Sequence, residues 1–123
     1  MTKEDRERLL KDLSSRLPYG VRYRRFAWDD KREEECISAK IYSISPDGYV
    51  RNYHEDESDY IDNVRPYLFP LSSITKKRLE ELSEYIDIKN AYVAVDLLNS
   101  HHIDYRGLIE KGLAIDATGL NIY

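Results

Sequence analysis

The chain has 123 residues, 41% of them hydrophobic and 34% charged, and a formal net charge of −4. That length fits one domain and leaves no room for a second of comparable size, and the apolar content is too high for a disordered chain. Residues 1–62 hold 12 basic and 15 acidic side chains and residues 63–123 hold 7 and 8, which argues against an avid, sequence-independent DNA-binding module.

Residues 2–17 have the pattern of a helix. Thr2 is a suitable N-cap, and Glu4 and Asp5 fall in the first turn, where the helix dipole favours acids. Leu9, Leu10, Leu13 and Leu17 share a face, and Glu4/Arg8, Glu7/Lys11 and Asp12/Arg16 are i,i+4 pairs. Pro18 and Gly20 end the helix. Residues 21–28 read as a strand mixing aromatics with Arg22, Arg24 and Arg25, and residues 29–35 as a solvated, charged turn. Residues 35–44 alternate, with Ile37, Ala39 and Ile41 on one side. Ser45-Pro46-Asp47-Gly48 is a turn signal, because Pro presets φ, Asp bonds its own backbone and Gly tolerates positive φ. Residues 49–53 then return as the partner strand of a hairpin. Residues 54–60 form an acidic loop, and Ile61 to Val64 allow one more short strand.

Pro66 and Pro70 favour an extended connector over a helix or a central strand, with Tyr67, Leu68, Phe69 and Leu71 holding it to the body. Ser72, Ser73 or Thr75 caps a second helix running to about Ile86. Residues 91–100 carry both strand features (Val93, Val95) and helix features (Asn90, Leu97, Leu98), and their length favours helix. A last short helix is expected after Asp104, ending at Gly112, with the tail docked on the body.

Strands grouped between helices predict a single α+β domain. Its small antiparallel sheet spans residues 21–64, and a strongly bent, SH3-like sheet is an alternative. An N-terminal helix and a C-terminal helical segment flank it. Residues 1–64 then make helix plus sheet, 65–74 the connector and 75–123 the helical part.

The opening MTKEDRERLL is charged where a secretory signal needs apolar residues, and no run approaches the ~20 apolar residues of a membrane span. Cys36 is the only cysteine, which precludes an intrachain disulfide and fits a reducing, cytoplasmic setting; it reads as a strand residue rather than a nucleophile. Eleven Tyr stand against two Phe and one Trp. Tyrosine suits half-buried strand positions and interfaces, and the excess permits a homodimer.

The segment from Ser100 to Arg106 is the densest group of reactive residue types. Asp96, His101, His102 and Asp104 offer potential metal ligands, but adjacent histidines on a helix point about 100° apart and no HExxH pattern is present. Asp104 as a helix cap and a histidine near helix carbonyls explain the segment structurally. Arg22, Arg24, Phe26 and Trp28 would share one strand face, a basic–aromatic pattern seen in single-stranded nucleic-acid platforms, set against ordinary edge-strand charge paired with the acidic runs 29–35 and 55–62. Asp56, Ser58 and Asp62 do not match an EF-hand, and no phosphate loop, GxSxG or CxxC occurs.

VRPYLFPLSSIT (64–75) and LLNSHHIDYRGLIEKGLAIDATGLNIY (97–123) resemble segments of short proteins encoded by gut Bacteroides-type bacteria and their phages. In that group a PYLxPLSSMT connector precedes a helix and LNxHHFDYRGLIEKGLA lies near the C-terminus. Here Ile74 and Ile103 stand in place of Met and Phe. The resemblance covers roughly the second half of the chain. The group has no assigned activity, so the resemblance implies no catalytic residue and no cofactor. It implies a phage, prophage or mobile-element setting, where small accessory modules are common.

The expectation is therefore a non-enzymatic protein-interaction or accessory module, with an unidentified protein partner at His101, His102, Tyr105 and Arg106. The alternative is a single-stranded nucleic-acid binder using Arg22, Arg24, Phe26 and Trp28. A metal-dependent enzyme at His101 and His102 comes third.

Overall fold

A computed structural model describes residues 1–25, 39–53, 58–74, 77, 80 and 91–123. Phe26, Trp28, Cys36, the acidic stretches 29–35 and 55–57, and most of the helix expected at 75–86 lie outside the described residues; Lys77 and Glu80 are helical.

Helix α1 (Lys3–Arg16) starts where expected, with the Thr2 hydroxyl accepting from the Asp5 N–H at 3.1 Å. Its inward stripe is Leu9, Asp12, Leu13 and Arg16, at i, i+3, i+4 and i+7. Arg6 adds a bidentate pair to Asp62, at 2.7 and 3.0 Å. A 3₁₀ turn (Leu17–Tyr19) then leads to Gly20 at φ 69°, where a Cβ would meet the Lys40 side chain at 2.8 Å. The positive φ is what favours glycine here, since the end of the exposed Lys40 side chain can shift aside.

The strands are β1 (Arg22–Arg25), β2 (Ala39–Ile44), β3 (Tyr49–Asn52), β4 (Ser58–Tyr60), β5 (Val64–Pro70), β6 (Ile103–Asp104) and β7 (Ile115–Asp116). They pair along the path β4–β3–β2–β1–β5–β6, with β7 also on β5. The β2–β3 hairpin turns at Ser45–Gly48 as expected: Ser45 N–H donates to the Tyr49 carbonyl at 2.8 Å, and the Ser45 hydroxyl accepts from the Tyr49 N–H at 3.1 Å.

The domain is α+β, but the sheet is larger than residues 21–64 and it is mixed. β1 through β5 run antiparallel, while β5 pairs in parallel with both β6 and β7. The expected connector at 65–74 is thus mostly strand β5, held by β1, β6 and β7. Pro66 fits because it sits opposite Tyr23. The Val21 carbonyl accepts from Ile41 of β2, so by alternation Tyr23 also directs its backbone groups away from β5. The ladder asks Pro66 for no N–H toward β1 at that point.

Residues 91–100 are helical (α2, Ala91–Ser100). The short helix expected from 105 to 112 is instead a series of turns between β6 and β7. The core joins Leu9 and Leu13 of α1 to Val21, Tyr23, Ile41, Val50, Ile61, Val64 and Leu68, with Leu108 and Leu113 from the C-terminal segment. Helix α1 therefore covers one face of the sheet.

Candidate functional site

Two groups of polar residues stand out: a buried cluster around residues 99–106, and the sheet face turned away from α1.

In the first, the carbonyls that end α2 bond the backbone N–H groups of His101 and His102. His102 takes φ 60°, a conformation only a few residue types adopt without glycine. This bend sends residues 103–104 alongside β5, where the His102 carbonyl accepts from Phe69 N–H at 2.8 Å. Asp104 is 5% exposed and accepts from the N–H groups of Leu108 and Ile109 at 2.8 and 2.9 Å. It caps a turn rather than the helix expected there.

Asp12 and Arg16 of α1 lie at the centre, both 0% exposed. Arg16 donates twice to the Asp12 carboxylate, at 2.8 and 3.1 Å, and once to the Ile103 carbonyl, at 2.6 Å. Arg106 donates to Asp12 Oδ1 at 2.8 Å. Both guanidinium groups lie near the Tyr105 ring, at 5.2 and 4.7 Å from its centroid. The Tyr105 hydroxyl donates to buried Asn99 at 2.9 Å. Arg106 and Tyr105 thus reach α1 and α2.

Tyr123 closes this group from the C-terminal end. Its ring stacks on His102, with centroids 3.7 Å apart and an interplanar angle of 13°. Its hydroxyl accepts from Arg22 N–H at 2.9 Å and donates to the Tyr67 carbonyl at 2.7 Å. It therefore bridges β1 and β5 one residue beyond their last paired position. Burial pushes its phenol up to about 12. Burial, with help from Arg16 and His101, pushes His102 down to about 4, so the imidazole is neutral at physiological pH. Arg16 Nη1 and His102 Nδ1 have no hydrogen-bond partner among the described residues.

Of the four residues expected to meet a partner, only His101 is exposed; His102 is buried, and Tyr105 and Arg106 are half-buried within the cluster. Asp12, Arg16 and Tyr123 were missed. Asp12 and Arg16 had a readable signal: they occupy the helical stripe of Leu9 and Leu13.

The second group lies on the other side of the sheet. Tyr42, Tyr49 and Tyr53 are 42, 44 and 63% exposed, and Lys40 and Arg51 are exposed among them. Tyr42 packs on Tyr53 with centroids 5.3 Å apart, and Tyr49 packs on its cross-strand partner Tyr60 at 5.4 Å. A register shift between Ile41 and Ser43 leaves Tyr42 as an extra residue that turns outward. Lys40 Nζ stands 5.3 Å from the Tyr53 ring centroid. The buried partners of these residues, Ile41, Val50, Asn52 and Asp59, point the other way.

Arg22 and Arg24 extend the same outward face onto β1. Strand β1 is not an edge strand, because β2 and β5 flank it, so the edge-charge reading of these arginines does not apply. Arg25 faces inward and pairs with Asp59, which also accepts from the Tyr23 hydroxyl at 2.6 Å. That is the expected pairing between a strand arginine and the acidic run at 55–62.

Comparison with known protein families, curated proteins and solved structures finds no match. Among the described residues, no group of three His, Cys, Asp or Glu side chains is placed to hold a metal ion. No helix among them is long and apolar enough to cross a membrane.

Proposed function

We propose that the protein is a non-enzymatic interaction module that docks a partner protein on the outward face of β1–β4. The observation that carries this reading is the set of exposed tyrosines, Tyr42, Tyr49 and Tyr53, interleaved with Lys40 and Arg51. Tyrosine and arginine concentrate binding energy at interfaces, because they bring large contact area and directional polar groups with few rotors to immobilise. Here they come paired ring on ring, which fixes their orientation before a partner arrives.

The segment 101–106 supports the non-enzymatic part of the reading. Arg106 donates to Asp12, the Tyr105 hydroxyl donates to Asn99 and Asp104 accepts from the Leu108 and Ile109 N–H groups, so its polar groups tie α1, α2 and the turns after β6 together. The setting belongs to the same proposal: an accessory protein of a phage, prophage or mobile element of Bacteroides-type bacteria, acting in the cytoplasm. It rests on the resemblance of residues 64–75 and 97–123.

The test is capture from native host or infected cells with the tagged full chain and its Tyr42→Ser/Tyr53→Ser variant. A partner retained by the wild type and lost by a variant with an unchanged melting curve supports the reading. Equal capture by both removes this face from consideration.

A further inference from the structure

The aromatic residues on the outward face of β2–β4 stand in two tilted pairs, Tyr42 on Tyr53 at 53° and Tyr49 on Tyr60 at 58°. Tyr53 prolongs β3 by donating its N–H to the Lys40 carbonyl. Tyr49 and Tyr53 are therefore four extended residues apart, which separates the two pairs by roughly 13 Å. Arg51 lies between them and donates to the Ser58 hydroxyl across the strands. The other outward positions are Lys40 and Ser43. Among the described residues of β2–β4, no aliphatic side chain and no carboxylate stands on this face, because Ile41, Ile44, Val50 and Asp59 turn to the other side. Lysine and arginine only donate hydrogen bonds. The hydroxyls of Tyr42, Tyr49 and Tyr53 make no hydrogen bond among the described residues, so they add three more donors. The face is aromatic and rich in donors.

Resting on the module reading above, we propose that this face takes a proline-rich segment of a partner protein in the polyproline II conformation. Such a segment is the chemical complement of the face. Its pyrrolidine rings give apolar surface to lay on the tyrosine rings. Its prolines have no N–H, and its carbonyls are open to outside donors because the helix makes no internal hydrogen bonds. At 3.1 Å per residue, about four of its residues reach from one tyrosine pair to the other. Arg51 then meets carbonyls midway. The segment is extended before it binds, so little chain entropy is lost on docking.

An amphipathic helix fits this face poorly, because it needs an aliphatic groove for its anchors. A single-stranded nucleic acid is the competing occupant, since its bases also stack on aromatic rings. It depends on cations that follow its backbone. Of the cations on this face, Lys40 is set against the Tyr53 ring and Arg51 against the Ser58 hydroxyl, in a chain of net charge −4.

The experiment is an amide NMR titration of the full chain with decaproline, with a glycine–serine peptide of equal length and an oligothymidylate as controls. Decaproline should give saturable shifts centred on the Tyr42, Arg51 and Tyr53 amides, and its affinity should change little with salt because its residues carry no charge. Tyr42→Phe/Tyr53→Phe keeps the rings and removes the donors, and should weaken binding about threefold. Tyr42→Ser/Tyr53→Ser removes both and should weaken it by about tenfold or more with an unchanged melting curve. Lys111→Glu, exposed in the turns before β7, should change nothing. No saturable shifts, equal shifts from the glycine–serine peptide, or tighter and steeply salt-dependent binding of oligothymidylate at the same amides overturns the proposal. If decaproline fails while Tyr42→Ser/Tyr53→Ser still loses the native partner, the proline-rich occupant is wrong and the docking face stands.

Discussion

Replacing Asp12 with alanine should be the most damaging single polar substitution in this protein. The carboxylate is fully buried and accepts three hydrogen bonds, two from Arg16 and one from Arg106. Asp12→Ala leaves the Arg16 guanidinium buried with the Ile103 carbonyl as its acceptor among the described residues. Removing one member of such a pair costs about 3–5 kcal/mol, because the remaining charge stays out of water. A chain of 123 residues unfolds with an entropy near 0.26 kcal/mol/K, taking about 2.1 cal/mol/K per residue. The melting temperature should therefore fall by roughly 12–19 °C. Circular dichroism melts and urea titrations at pH 7 measure it. The control is Arg8→Ala, which breaks an exposed contact to Asp5 at 3.7 Å and should cost at most about 0.5 kcal/mol. If Asp12→Ala melts within a degree or two of Arg8→Ala, the cluster does not hold the C-terminal segment to α1 as described.

The same cluster yields three further predictions. His102 has a folded pKa of about 4 against 6.5 in a free histidine, so the unfolded chain binds a proton first as pH falls; stability should be unaffected above pH 6.5 and drop between there and pH 4 by on the order of 3 kcal/mol. His102→Asn, which tolerates the positive φ, should flatten that slope, and an NMR titration in which His102 protonates near pH 6.5 would contradict it. Tyr123→Phe deletes the hydroxyl bridge between Arg22 and Tyr67, and should cost about 1–2 kcal/mol and speed hydrogen exchange at the Arg22 amide. Asp104→Ala frees the Leu108 and Ile109 N–H groups and should lower the melting temperature by several degrees, where an unchanged melt would refute the capping role.

The parts of the fold set by local chemistry could be read from the sequence. Thr2 caps α1, Pro46-Asp47-Gly48 turns the hairpin, and residues 91–100 form a helix. What escaped depends on partners distant in the chain. Pro66 and Pro70 lower strand propensity, yet β5 accepts them because the missing N–H of Pro66 falls at an unbonded position toward β1. The segment after Asp104 has residues fit for a helix, but it runs between two strands paired to β5, and the Asp104 carboxylate holds the Leu108 and Ile109 N–H groups in a turn instead. Asp12 and Arg16 read as one i,i+4 pair among three, and only their place on the leucine stripe hints at their burial. The outward tyrosines follow from strand alternation, Tyr42 following buried Ile41; what no local residue type announces is the register shift after it, which pairs Ser43 with outward Arg51 and Ile44 with buried Val50.

Site-specific photocrosslinking tests the docking face most directly. A photoreactive benzoyl-phenylalanine replaces Tyr42 on the outward face in one sample and Lys111 in the C-terminal turns in another, each expressed in the native host and irradiated there. The account predicts a discrete protein adduct from position 42 and none from position 111. An adduct from position 111 alone, or a captured partner that never crosslinks at position 42, would contradict it.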